Sequence, residues 1–417
     1  MRGFISGSSY LLFAGFFSFI TVACNDTGAG EGVPDSGTIE DDGGHNDALT
    51  SDSGAYFDSG VQPDSQTSID SGIDGSIGPH PIGGEVSGLL GEGLVLQNNS
   101  GDDLAITDNG EFVFNEMLTA GEEYSVTVLM HPEDPDQTCN VYNGEDTVGY
   151  APVTNINVHC QLIDSDNDGV PDIADPFPDD STKPVPGVLN TIYAHTSSQL
   201  YTMDPSTHEI QLVGQFSFDS DSGSVTDIAV DQYNVLYAVT FYDLFVCDPY
   251  TAECYHLASL GQSFNGMTLV PAGTVDPYRD ILIGISNTGG WYRIDIVGEA
   301  AAELTLLGTY DSGYTSSGDA YSVKGAGTYA AVNKSGESSD VIVEVDPIDG
   351  TVLSEIGVTT GYNSLYGLAG TADIIFGFDA GGDIISINPS TGDTNLIVST
   401  SHSWWGAGVT TGVTSVP

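Results

Sequence analysis

The sequence predicts an all-β chain: a small β-sandwich, then a β-propeller of five four-stranded blades, both behind a disordered acidic N-terminal tether. Three observations lead there. Short alternating apolar runs, separated by Asp, Asn and Gly turns, fill residues 82–162. From residue 188 to the end a pattern recurs at a period of about 46 residues. Residues 24–81 are rich in Asp, Ser and Gly and hold almost no large apolar side chains.

Charge bounds the function first. The 417 residues include 59 acidic and only six basic side chains, a formal net charge of −53. A surface this acidic repels phosphate backbones and anionic lipid head groups, which excludes nucleic acid and leaves cations as natural ligands.

The N-terminus, residues 1–23, reads as an export signal. Arg2 supplies a minimal positive region, and the apolar stretch Tyr10–Val22 is too short to span a bilayer. The stretch Thr21-Val22-Ala23-Cys24 resembles the lipobox of bacterial lipoproteins, although a leucine is usual where Thr21 stands. That resemblance implies a lipid on Cys24 and a place in the bacterial envelope, at the outer-membrane surface. Thr-x-Ala also suits ordinary signal cleavage, which would give a secreted protein. Cysteine usage agrees with export. Of the five cysteines, Cys139 and Cys160, and Cys247 and Cys254, can form two local pairs, leaving Cys24 over.

The tether repeats Asp-Ser-Gly at Asp35, Asp52, Asp58 and Asp70. It cannot bury enough apolar surface to offset its ordering entropy, so it is expected to be a self-repelling spacer. No copy carries a full set of metal ligands. The segment resembles the acidic tethers of bacterial surface lipoproteins.

Residues 82–162 contain runs such as Leu94–Gln97, Phe112–Phe114, Tyr124–Met130 and Ile156–Cys160, divided by turn signals such as Asp108-Asn109-Gly110. About seven short strands in about 80 residues predict a sandwich, with Cys139–Cys160 tying its last strands. The run from GLVLQNNSGDDLAI to QTCNVYNG resembles a small immunoglobulin-like module of bacterial surface proteins. The resemblance implies a structural or adhesive role.

Residues 163–187 carry the sharpest motif, DSDNDGVPDIADPFPDD from Asp164 to Asp180. Asp164, Asp166 and Asp168 alternate, Gly169 permits a tight turn, Val170 offers a carbonyl, and Asp172 and Asp175 take the ninth and twelfth places. That is the oxygen spacing of a calcium loop. The twelfth residue is not the Glu of an EF-hand, and the pattern instead resembles a thrombospondin type 3 repeat. That family implies Ca2+ bound by these six residues, bracing an extracellular linker.

In residues 188–417 the second-strand positions are NTIYAHT, VLYAVTF, ILIGISN, TYAAVNK and IIFGFDA, each followed by a third strand such as LYTMDP or LFVCDP. The turns after them begin with Asp or Asn, which accepts backbone N–H bonds, and Pro, which presets φ. Small residues mark the first strands: Ala229, Thr268, Ser322, Gly367 and Gly408. The repeat opens at a second strand and ends at a first one, so the C-terminal strand is expected to complete the first blade. LYAVT followed by LFVCDP resembles the YVTN-type propeller repeat of bacterial and archaeal surface proteins, a likeness that specifies architecture and not chemistry. Cys247 and Cys254 flank one hairpin. No further zinc ligands stand nearby, and a redox pair would favour C-x-x-C, so they read as a staple.

No active site emerges. The eight histidines are scattered, and no nucleophile elbow, metalloprotease motif or P-loop is present. A channel mouth lined by Thr226, Asn265, Asp319, Ser364 and Trp405 is the expected ligand site. Trp404-Trp405 either stacks on a sugar or covers the closure seam. The leading expectation is a non-catalytic, monomeric surface protein that binds a glycan or an extracellular protein, touching membrane only through its anchor. The alternatives are a propeller enzyme acting on polysaccharide and a purely structural component.

Overall fold

A computed structural model describes residues 78–220, 223–298 and 300–412. The expected signal segment, Cys24 and almost all of the expected tether lie outside them. Among the described residues every regular element is a β-strand.

Two four-stranded sheets come first. One orders Gly110–Leu118, His80–Ser87, Val153–Leu162 and Gln137–Tyr142; the other orders Asp102–Ala105, Val95–Asn98, Glu123–Met130 and Glu145–Thr147. His80–Ser87 and Val153–Leu162 run parallel, and their other neighbours are antiparallel. Along Val153–Leu162 the buried residues Ile156, Val158 and Cys160 alternate with exposed ones, the period-two signature of a strand with one face in the core. They pack with Ile82, Leu94, Leu96, Phe112, Phe114 and Val126 in one apolar cluster. Cys139 and Cys160 stand opposite each other in neighbouring strands and are bonded.

The rest of the chain has propeller-type folding. Four antiparallel meanders run Asp227–Val230 to Glu253–Ser259, Gly266–Val270 to Ala300–Thr309, Tyr314–Val323 to Val352–Val358, and Leu365–Gly370 to Thr394–Ser399. A further sheet starts with Ile192–His195, Gln199–Met203 and Ile210–Gln215, and takes its fourth strand, Gly406–Gly408, from the far end of the chain. The register Gly406↔His195 and Gly408↔Tyr193 fixes that closure. The innermost strands Asp227–Val230, Gly266–Val270, Tyr314–Val323, Leu365–Gly370 and Gly406–Gly408 neighbour one another in a closed cycle. Glycine lets them approach: a Cβ on Gly266 would sit 2.0 Å from the Gly318 carbonyl oxygen, and one on Gly367 2.7 Å from Gly406.

The hairpin turns work as their sequence suggests. Asp204, Asp248 and Asn388 each accept two backbone N–H bonds through Oδ1. The residue closing each turn is left-handed: Gly350 and Gly392, but also His208 and Ala252. Cys247 and Cys254 face each other across their hairpin and are bonded. One departure from a simple repeat is an outer-edge link, where Ala258↔Ala300 and Ser259↔Ala301 join two meanders into one sheet.

Candidate metal centre

The loop Asp164–Asp175 is built by its own backbone. Asp164 accepts from the amides of Asn167 (2.8 Å) and Gly169 (3.1 Å), Asp166 from Asp168 (3.2 Å), and Asp168 from Val170 (2.8 Å). Gly169 at φ +98° and Asn167 at φ +64° supply the left-handed turns. These bonds use one oxygen of Asp166 and of Asp168 and leave the other for a ligand. Carboxylate oxygens of Asp164, Asp166 and Asp168 all lie within 4.8 Å of one another. Asp175 comes in beside them, its Oδ1 held by the Phe177 amide at 2.7 Å.

Three oxygens at this place are buried with no hydrogen-bond partner: Asp166 Oδ2, Asp168 Oδ2 and Asp175 Oδ2. Buried, unpartnered carboxylate oxygens are costly, and a cation is the usual remedy. The electrostatics agree. Burial, then the negative charges of Asp168, Asp166 and Asp172, pushes the Asp175 carboxyl up to about 7. Asp168 is raised by burial and by Asp166 and Asp164. An all-oxygen set of several carboxylates suits a hard divalent ion.

Of the six loop residues expected as ligands, Asp164, Asp166 and Asp168 converge, and Asp175 stands outside that group while feeling the charges of Asp168 and Asp166. Asp172 instead clamps Ser165, accepting from its amide at 2.7 Å and its hydroxyl at 2.6 Å. Val170 is fully buried. Its side chain enters an apolar cluster with Tyr237, Leu269, Leu282 and Ile294, and Ala174 and Phe177 pack on the same cluster. The segment is therefore seated on the propeller-type half and is not a free joint. Lys183 reinforces the seat over the rings of Phe177 (5.1 Å) and Tyr255 (4.7 Å). A polar cleft of about 220 Å³ separates the loop from the strands, lined in part by Asp175, Asp231, Tyr237, Arg279 and Asp280.

The expected mouth ring does not form one exposed surface. Asp319 is fully buried at the centre of the inner strands, and Thr226 is buried with its hydroxyl on the Val239 and Phe264 carbonyls. Asn265 reaches Ser316, Ser364 reaches Asn363, and Trp405 is half-buried. The reason is crowding: inner strands this close leave room for glycine and little else. Trp404 is fully buried against Tyr201, Phe378 and His402, so it covers the closure seam.

Sequence reasoning missed Ser165 as a clamp, and it missed Asp227, which lies buried with Asp319. Asp227 pairs with Val239, a ladder place that glycine holds on three of the other inner strands, at Gly266, Gly367 and Gly406.

No protein-family profile and no curated protein matches the chain. Among solved structures it is similar to the Cps50 (Swd1) β-propeller domain of Myceliophteria thermophila, at 10% identity over 50% of this chain and 67% of that one, TM-score 0.31. It is also similar to BamB from Moraxella catarrhalis, at 13% identity over 52% of this chain and 61% of that one, TM-score 0.26. Hydrazine synthase of Kuenenia stuttgartiensis gives 13% identity over 50% and 62%, TM-score 0.32.

Proposed function

We propose that the chain is a non-catalytic, exported surface protein, lipid-anchored at Cys24, that binds a glycan or extracellular protein and carries Ca2+ in the loop Asp164–Asp175. In this reading an immunoglobulin-like sandwich precedes a five-bladed β-propeller, and the thrombospondin type 3-like segment joins them. Five four-stranded units, two of them joined at their outer edges, with cyclically adjacent first strands support the blade count. Four bonded cysteines, which fit an oxidising compartment and leave Cys24 unused, support export.

The observation that carries the calcium assignment is the cluster of Asp164, Asp166 and Asp168 carboxylate oxygens within 4.8 Å, with the Oδ2 atoms of Asp166 and Asp168 buried and unpartnered. Burial of Asp319, the carboxyl on which a hydrolytic reading would depend, favours binding over turnover. Titration calorimetry of the full chain with CaCl2 tests the metal: one site is expected, weakened at least about tenfold in Asp168→Asn. No heat of binding, or unchanged affinity in the variant, would count against it. A glycan-array screen with and without calcium tests the ligand class. Silence on every sugar and surface polymer would argue for a structural role.

A further inference from the structure

The inner strands leave one place at their centre where side chains meet. Opposite His195, Val239, Ile285 and Phe378 stand Gly406, Asp227, Gly266 and Gly367. Asp319 occupies the bulge of the fifth inner strand, between Ser316↔Val332 and Ala320↔Ala330. Glycine at three of these positions makes room for the two carboxyls. A Cβ on Gly406 would come within 2.3 Å of both Asp227 Oδ1 and His195 Nε2.

The carboxyls bind every strand of the ring. Asp227 Oδ2 accepts from the Met267 amide at 2.7 Å, and Asp319 Oδ2 from Leu368 at 2.6 Å and Ala407 at 3.3 Å. Each also accepts from the amide that follows it in its own strand, Ile228 or Ala320. Asp227 Oδ1 lies against Gly406 and Asp319 Oδ2 takes the amide of the next residue, Ala407, so the two carboxyls flank one peptide. Both are fully buried, and two neighbouring buried carboxyls do not both ionise, so the pair keeps a proton; carboxylates alone could only accept.

We infer that Asp227 and Asp319 form a proton-sharing lock that joins all five inner strands and holds the ring closed. Two other titratable groups face the pair. His195 lies beside Asp227, its Nδ1 bonded to the Thr196 carbonyl and its Nε2 without a partner. The buried Tyr310 is near enough for the charge of Asp319 to add to the upward push that burial gives its phenol. Neither supplies a positive charge at neutral pH. Burial holds both carboxyls well above the ordinary value of 3.8, and the charge of Asp319 pushes Asp227 further up. Opening the lock releases one proton to water and leaves two buried carboxylates with nothing between them.

The sign follows from linkage. Above the unfolded value the native state keeps a proton that the unfolded chain has lost, so stability falls as pH rises towards the folded value. The expected slope is about a tenfold rise in the unfolding constant per pH unit, for one proton. Chemical unfolding from pH 5 to 9 of the full chain, wild type against Asp227→Asn, reads it. An amide donates without a titrating proton, so the variant should lose that part of the slope. Equal slopes would overturn the lock. If the variant does not fold, infrared spectra of the wild type decide: a protonated-carboxyl band persisting at pH 7 is expected, and its absence overturns the proposal. Restoration of alkaline stability by calcium or sodium would show that a cation, not a proton, joins the pair.

Discussion

His195 occupies the second-strand place that Val239, Ile285, Val332 and Phe378 hold in the four meanders. It is fully buried, and desolvation holds its imidazole down to about 4. The unfolded chain therefore binds a proton that the native state refuses, and stability is lost as pH falls from the ordinary 6.5 towards 4. The loss reaches about 3 kcal/mol at the acid end. His195→Val should flatten the acid limb of a stability-against-pH curve, and an unchanged limb would refute the assignment. Val170 makes a packing prediction. It is a loop residue in the propeller's apolar cluster, so Val170→Ala should cost about 2–3 kcal/mol in chemical denaturation. A change below about 0.5 kcal/mol, the range of ordinary surface substitutions, would mean that the seat is loose.

At the scale of elements, the Asp164–Asp175 loop and the hairpin staple behave differently. Because Val170, Ala174 and Phe177 anchor the loop on the strands, metal binding is linked to the stability of the whole C-terminal half. Adding chelator should lower the melting temperature of the propeller, and a melting curve indifferent to calcium would contradict that coupling. The staple closes a short loop, with seven residues of sequence separation between Cys247 and Cys254. Replacing both by Ala should cost about 2 kcal/mol, measured as a shift in denaturation midpoint under non-reducing conditions. The meander strands were legible because period-two burial and Asp- or Asn-led turns are local chemistry. The outer-edge link Ala258↔Ala300 was not, because nothing in either strand's own sequence requires it.

At the scale of the molecule, closure is the central event. Gly406–Gly408 must find Ile192–His195 across the length of the repeat region, and Trp404 then seals the seam. Deleting residues 404–412 should leave the inner edge of Ile192–His195 unpaired. The truncated chain is expected to aggregate or lose cooperative unfolding, whereas a sharp, wild-type-like transition would argue against closure through this strand.

By itself the sequence determined the all-β class, the repeat and its offset, both disulfide pairs and the alternating aspartates of the loop. Each of these rests on spacing along one segment, where hydrogen bonding and side-chain alternation are local. Only the tertiary structure decided that the loop is seated on the propeller, that Asp172 turns to Ser165, and that Asp319 and Asp227 are buried in a closed centre instead of lining an open mouth. Those outcomes depend on how near the inner strands approach one another. That distance is set by glycines on four of them and cannot be read from any one strand.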